Sequence, residues 1–355
     1  MREKLITSRA PANIALIKYM GKKDAALNLP ENGSLSLTLN SLCTIAEAER
    51  TAQTGVTWVP ELPKKLVRGL SHLHFPELGE RGIERVIRHV ERVQRFLPEI
   101  FSRHYLKMDD SPQGFLLRTA NTFPSGTGIA SSASSFAAIT LCVAAACSAD
   151  PSAFEKAYEN NVALRRDLAW ISRQGSGSSC RSFEGPWVIW EEERSFSLPT
   201  AMPEMAHFLI LVSSDAKKVS SSDAHSLVKS SPLWKERTLR AENRLTILRA
   251  ALEKADLKTI ARVAWIEAWE MHGLFHTCKE PFSYWLPGTV EALEWLAHAL
   301  KEEIPPIVTL DAGPNIHVIV PAVLRESWRA RFQKRFVTNQ IREDQQGNGA
   351  GLRRP

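Results

Sequence analysis

Long apolar runs, paired cysteines and dense basic tracts are all missing from this 355-residue chain, and each absence removes a class of protein. The longest apolar stretch, residues 136–147, is too short for a bilayer span, which takes roughly 20 residues. The first eight residues carry charge but no apolar run of leader length, so the chain reads as soluble and cytoplasmic, without membrane contact. The five cysteines, Cys43, Cys142, Cys147, Cys180 and Cys278, are odd in number, widely spaced and without a Cys-x-x-Cys pair, as suits a reducing compartment. Lysine and arginine outnumber the acidic residues by 45 to 39, but the surplus of +6 is diffuse. Lys235, Arg237 and Arg240 come nearest to a cluster, and with Glu236 among them along a helical pattern they read as a solvated face. An anionic partner fits this balance, which does not by itself choose nucleic acid over a phosphorylated metabolite.

What is present is ordinary globular material, 44% hydrophobic and 24% charged, in a length that suits one large or two medium domains. Apolar runs at 12–20, 34–39 and 44–48 predict strands, and apolar residues at three- and four-residue steps over 82–97 predict an amphipathic helix. A strand at 114–120 precedes a turn-rich loop that feeds an Ala- and Ser-rich buried helix over 129–149. Further on come a strand at 186–190, a charged, turn-like boundary at 191–199, and a strand at 207–212. Helices are predicted at 236–252 and onward to His272, the second capped by Asp256. Strands at 306–310 and 316–320 and a helix near 323–336 complete an α+β pattern. The domains are read as 1–195 and 196–340, with 341–355, polar and Gly-rich, as a disordered tail.

Several segments can carry chemistry. Pro124, Gly126, Gly128, Ser131 and Ser132 lie in a Gly/Ser turn running into a helix, which is either a plain N-cap or a cradle of N–H groups for phosphate; no Gly-Lys-Ser/Thr follows, so it is not a Walker A loop. Ser176, Ser178 and Arg181 fall in a second Gly/Ser loop, an ordinary surface loop or a site for phosphate or carboxylate. Lys217 and Lys218 precede three serines, as at a solvated helix start or an anion site. Asp311 ends an apolar strand before a turn, a position shared by catalytic carboxylates and turn initiators. His272 and His276 share a helical spacing, but Gly273 stands where a zinc protease has glutamate, and no metal ligand is assigned.

In their order along the chain these segments resemble the GHMP kinase superfamily and, within it, the mevalonate diphosphate decarboxylases. The likeness rests on Ala12-Asn13-Ile14-Ala15-Leu16-Ile17-Lys18-Tyr19-Met20-Gly21-Lys22, the 124–133 loop, 175–182, 217–221 and Asp311-Ala312-Gly313-Pro314-Asn315. The resemblance implies a two-domain α+β fold with the active site in the interdomain cleft, a homodimer, and ATP with Mg2+ as cofactors. It implies phosphorylation of the 3-hydroxyl of 5-diphosphomevalonate, then loss of phosphate and carbon dioxide to give isopentenyl diphosphate. Alternatives are the same reaction on 5-phosphomevalonate, or a small-molecule kinase that stops before decarboxylation; retention of Lys18, Arg181 and Asp311 together argues against the kinase. By resemblance Asp311 acts on the 3-hydroxyl, Arg181 holds the carboxylate and Lys18 completes the polar cluster. Tyr19, Lys22, Ser176 and Ser178 match the substrate's phosphate end, and Pro124, Gly126, Gly128, Ser131 and Ser132 the ATP loop. The sequence departs from the family at Met20, usually tryptophan, at Gly33, and at Ser222-Asp223-Ala224-His225, where the family segment more often ends in Gly-Met.

Overall fold

The computed structural model describes residues 5–61, 73–109, 114–123, 131–215, 217–337 and 340–353. The first half contains β1 (Leu5–Ile17), a small hairpin of β2 (Lys22–Asp24) and β3 (Leu29–Pro30), β4 (Ser34–Thr51) and β5 (Val56–Val59). It continues with α1 (Glu80–Arg103), β6 (Gly114–Asn121), α2 (Ser131–Cys147), α3 (Pro151–Asn160), α4 (Val162–Gly175), β7 (Trp187–Glu191) and β8 (Arg194–Ser197). The second half has β9 (Met205–Ile210), α5 (Ser221–Leu227), α6 (Arg237–Glu253), α7 (Leu257–Thr277), α8 (Pro287–Ala299), β10 (Ile307–Thr309), β11 (Ile316–Pro321) and α9 (Arg325–Arg335). β12 (Ile341–Gln345) and β13 (Gly351–Arg353) close it. Among the described residues no helix is long and apolar enough to cross a membrane.

β1 and β4 pair antiparallel and form the spine of the first sheet, ordered β13-β1-β4-β6-β5 with β7 and β8 attached beside β4. The two strands read at 34–39 and 44–48 are one. Asn40 and Ser41 interrupt the apolar pattern where β4 exchanges β7 for β6 as its neighbour, yet the backbone stays extended. Alternation along the strands sorts side chains onto two faces. Ile6 and Ala10 of β1 meet α1, α2 and α4; the register shift between Pro11 and Asn13 then exchanges the faces, so that Ala12, Ile14 and Leu16 turn to the other side with Leu35, Leu37 and Leu39. That second face is covered by Leu245 and Leu248 of α6, Ile260 and Ala264 of α7, and Leu209 and Ile307 of the second sheet. Burial on both faces explains the apolar run at the end of β1. α2, wedged between the sheet and its neighbouring helices, is buried around most of its circumference, which its small, uncharged side chains permit.

The second sheet is antiparallel, in the order β10-β11-β9-β12. Its core face packs Phe208 and Val318 against Leu293 and Leu296 of α8 and Trp328 and Phe332 of α9. Two readings of the sequence need correction. Residues 341–353 are not a disordered tail: β12 pairs with β9 in the second sheet and β13 with β1 in the first, so the segment straps the halves together. Its anchors are polar and mostly main-chain, which an apolar pattern cannot reveal. The Asp344 carboxylate accepts from Ser41 N at 2.8 Å and Leu42 N at 2.8 Å, and Tyr158 Oη donates to Ala350 O at 2.9 Å. Arg237 is not on a solvated face either; it is fully buried and paired with Glu267, because α6 begins there and turns its first side chain inward.

Candidate active site

β1 ends at Ile17 and β10 at Thr309, and just beyond these ends Lys18 and Asp311 meet across the two halves of the molecule. Lys18 Nζ donates to Asp311 Oδ1 at 2.7 Å and to Ala15 O at 2.7 Å. Lys18 is almost wholly buried, whereas the Asp311 side chain is 19% exposed, so the carboxylate faces the open side of the pair. No described residue bonds Asp311 Oδ2. Burial pushes the Lys18 ammonium below the usual lysine range, and Asp311 pulls in the opposite direction. The surrounding backbone is tied down: Glu267 accepts from Lys18 N at 3.0 Å, Asn32 donates to Lys18 O at 3.0 Å, and His272 Nε2 lies 3.2 Å from Asp311 O.

Arg181 approaches from the 3-10 turn Gly177–Ser182 that follows α4. Its Nε donates to Asn13 Oδ1 at 3.1 Å and Nη1 to Ser34 Oγ. Asn13 in turn donates to Ser182 Oγ at 2.9 Å and Ser178 O at 3.1 Å, so strand β1 fixes the turn that carries the arginine. Two arms of the guanidinium are held, and Nη2 has no partner among the described residues. Burial lowers the arginine's pKa from its usual range, with Cys180 and Asp311 acting against that. A fixed fork with one free arm is suited to a carboxylate.

Lys18, Arg181 and Asp311 line one cavity of about 110 Å³ with Tyr19, Met20, Ser132, Ser178, Lys217, Ser221 and His225. Residues 217–221 are a helix start, with Ser220 capping α5, and Lys217 also faces the cavity, where burial lowers its pKa. Lys22 and Ser176 stand just behind the lining: Lys22 Nζ donates to Asn28 Oδ1 at 2.7 Å, and Ser176 Oγ donates to Ser132 Oγ at 3.1 Å. Ser131 begins α2 without lining the cavity. Pro124, Gly126 and Gly128 lie outside the described residues. The donor set fits a phosphate. Tyr19 Oη is buried and lacks a partner among the described residues, and burial raises its phenol above the ordinary range, leaving an O–H donor. Arg173 nearby keeps Nε and Nη1 buried and unpartnered among the described residues. Glu267, Asn13, Ser34 and His272 had no assigned role in the sequence; Asn13 fell inside a motif, His272 was weighed only as a metal ligand, and Glu267 sits among helical charges with no distinguishing signal.

Two family models match the chain in order: the diphosphomevalonate decarboxylase-like N-terminal domain over residues 10–201 and the mevalonate 5-diphosphate decarboxylase C-terminal domain over 208–350. The chain is 30% identical to the diphosphomevalonate decarboxylase of Eremothecium gossypii, covering 87% of this chain and 76% of the relative. It is 31% identical to that of Gibberella zeae, with 87% and 79% covered. A crystal structure of a mevalonate diphosphate decarboxylase from Legionella pneumophila superimposes with a TM-score of 0.77 at 34% identity, covering 98% of this chain and 99% of the other. A complex of MDDEF with MVAPP, AMPPCP and magnesium does so with a TM-score of 0.74 at 26% identity, covering 99% of each chain. With both halves matched in order and relatives aligned along most of its length, the chain belongs to the diphosphomevalonate decarboxylase family of the GHMP kinase superfamily.

Proposed function

We propose that the cavity around Lys18, Arg181 and Asp311 is where this chain performs its family's reaction. That reaction is the ATP-dependent decarboxylation of 5-diphosphomevalonate to isopentenyl diphosphate, releasing ADP, phosphate and carbon dioxide. The observation that carries the site assignment is the Lys18–Asp311 pair at 2.7 Å in one cavity with the free arm of Arg181. ATP supplies the phosphoryl group that converts the 3-hydroxyl into a leaving group, and magnesium neutralises the phosphate charge. Asp311 Oδ2, free of protein partners among the described residues, accepts the hydrogen of the 3-hydroxyl and takes its proton as the oxygen bonds to phosphorus. Lys18 holds Asp311 in position and keeps its charge balanced in a buried setting.

Arg181 then orients the substrate carboxylate through Nη2. When phosphate leaves C3, the electron pair of the bond to the carboxylate carbon forms the new double bond and carbon dioxide departs. A tertiary alcohol is a poor nucleophile, so positioning and charge stabilisation supply most of the rate. Tyr19, Lys22, Ser176 and Ser178 hold the phosphate end of the substrate, and Ser131 and Ser132, with Pro124, Gly126 and Gly128, hold the ATP phosphates. Among the described residues of that segment Ser132 has the hydroxyl facing the cavity, and it suits the oxygen-rich surroundings magnesium prefers.

The same proposal includes a cytoplasmic homodimer of domains 1–195 and 196–340, with residues 341–353 strapped across both. Five buried, unpaired cysteines support a reducing location, and the exposed Ile266 and Trp269, one turn apart on α7, offer apolar surface for a second copy. The test incubates the purified protein with ATP, magnesium and mevalonate bearing zero, one or two phosphates at C5, measuring ADP and carbon dioxide together. Equal ADP and carbon dioxide with the diphosphate are expected. ADP without carbon dioxide would make the protein a kinase, and neither product with any substrate would overturn the reading. Sedimentation velocity decides the dimer.

A further inference from the structure

His225 lies on α5 at the cavity, and its surroundings make it more than a packing side chain. The ring lines the cavity beside Tyr19, with centroids 4.5 Å apart. Nδ1 accepts a hydrogen bond from Gly21 N at 2.9 Å. Gly21 has a φ of 86°, a left-handed conformation that glycine adopts without strain, and this turn aims its N–H at the imidazole. A nitrogen that accepts cannot carry the ring's proton, so in the neutral imidazole the proton is on Nε2. Burial, reinforced by the ammonium groups of Lys22 and Lys229, holds the ring neutral, with its pKa pushed down to about 3.

Nε2 has no hydrogen-bond partner among the described residues. Around it stand the Tyr19 hydroxyl, unpartnered among the described residues, the Lys22 ammonium on β2, bonded to Asn28 Oδ1, and the Lys229 ammonium just after α5, paired with Glu31 at 2.8 Å. The His225 Nε2–H and the Tyr19 O–H are two donors at the cavity without an acceptor among the described residues, and the ammonium groups beside them favour an anion there. A thioether at this position could fill the space but could donate nothing.

We propose that His225 donates from Nε2 to a phosphate oxygen at the phosphate end of the substrate, so that this protein uses an imidazole N–H to fix the substrate in register; the assignment rests on the function proposed above. The Gly21 contact acts as the positioning device. It sets both the tautomer and the ring's direction before substrate arrives, so no reorientation is needed on binding.

The experiment compares wild type, H225M and H225Q by steady-state kinetics with 5-diphosphomevalonate and by inorganic pyrophosphate as a competing anion. Glutamine can accept from Gly21 N and donate onward, whereas methionine keeps the bulk alone. Loss of one hydrogen bond to a charged group is expected to raise KM and the pyrophosphate inhibition constant of H225M roughly ten-fold or more, with a smaller effect on kcat. H225Q is expected to recover most of that affinity. In wild type labelled with 15N-histidine, the Nε2–H resonance of His225 is expected to shift on adding pyrophosphate. Unchanged constants in H225M, equal weakening in H225M and H225Q, or a resonance that pyrophosphate does not move would each overturn the proposal. If wild type turns over no mevalonate derivative, the proposed function fails, while the labelled wild type and pyrophosphate still decide the role of His225.

Discussion

At Asp311 the two oxygens differ: Oδ1 is bonded to Lys18 at 2.7 Å and Oδ2 has no partner among the described residues, which is why the proposed reaction gives Oδ2 to the substrate. Asp311→Ala is therefore expected to lower turnover by roughly 10²–10⁴-fold, the worth of a positioned proton acceptor, while nucleotide binding persists. Coupled ADP assays alongside nucleotide titration measure both; turnover within a few-fold of wild type would refute the role. Arg181 and Asp311 were legible as candidates because each lies in a short segment whose residue types suit phosphate or carboxylate chemistry, whereas Lys18 and Tyr19 became candidates only through the family resemblance. What their spacing withheld was the meeting itself. Lys18 and Asp311 are separated by 293 positions, and only the two strand ends that deliver them create the pair. Ser34, which accepts from Arg181, was invisible for the same reason.

Two elements hold this geometry from outside the cavity. α7 contributes Glu267, fully buried, which accepts from Lys18 N at 3.0 Å and pairs with Arg237 and with Arg244 at 2.5 Å. Glu267→Gln leaves Arg237 buried with weakened compensation and is expected to cost about 3 kcal/mol of stability or more, measurable as a lower urea midpoint, with reduced turnover in the surviving protein. An unchanged midpoint would show that Glu270, 3.5 Å from Arg237, suffices. The C-terminal strap is the second element. Tyr158→Phe removes the bond to Ala350 O and should cost about 1 kcal/mol. Gly349→Ala should cost more, since its Cβ would lie 2.0 Å from Phe183 O and backbone must move. Thermal unfolding of the two variants should rank them in that order; the reverse would mean that the strap yields freely. The strap was misread because its segment buries little apolar surface. Strand pairing with β9 and β1 depends on edges made elsewhere in the chain.

For the molecule as a whole, the unused histidines set a pH response. His89, His272 and His317 are fully buried, and burial pushes each down to about 3. His207, 2.9 Å from His317 between nitrogen atoms, is lowered as well, by burial and then by that neighbour. The unfolded chain binds protons at these sites below about pH 6.5, whereas the folded chain does not until about pH 3. Their stabilising contribution is thus intact above about pH 6.5 and declines as pH falls toward 3, by about 1.4 kcal/mol per pH unit for each such group. Urea unfolding between about pH 7 and about pH 5 should show a falling midpoint with net proton uptake on unfolding; a flat profile would contradict it.

The alternating and helical periodicities of this chain determined by themselves that it mixes strands and helices, because period-two and period-3.6 patterns report which face of a local segment is apolar. The ordered motifs determined the family resemblance and the principal candidate residues. Tertiary structure alone decided that β1 and β10 end side by side, that Arg237 turns inward, that residues 341–353 bind both sheets, and that the His225 imidazole is fixed by Gly21. The physical reason is common to all four. Each depends on an unpaired strand edge, a buried charge or a main-chain donor supplied by a distant segment, and such complementarity leaves no local periodic trace.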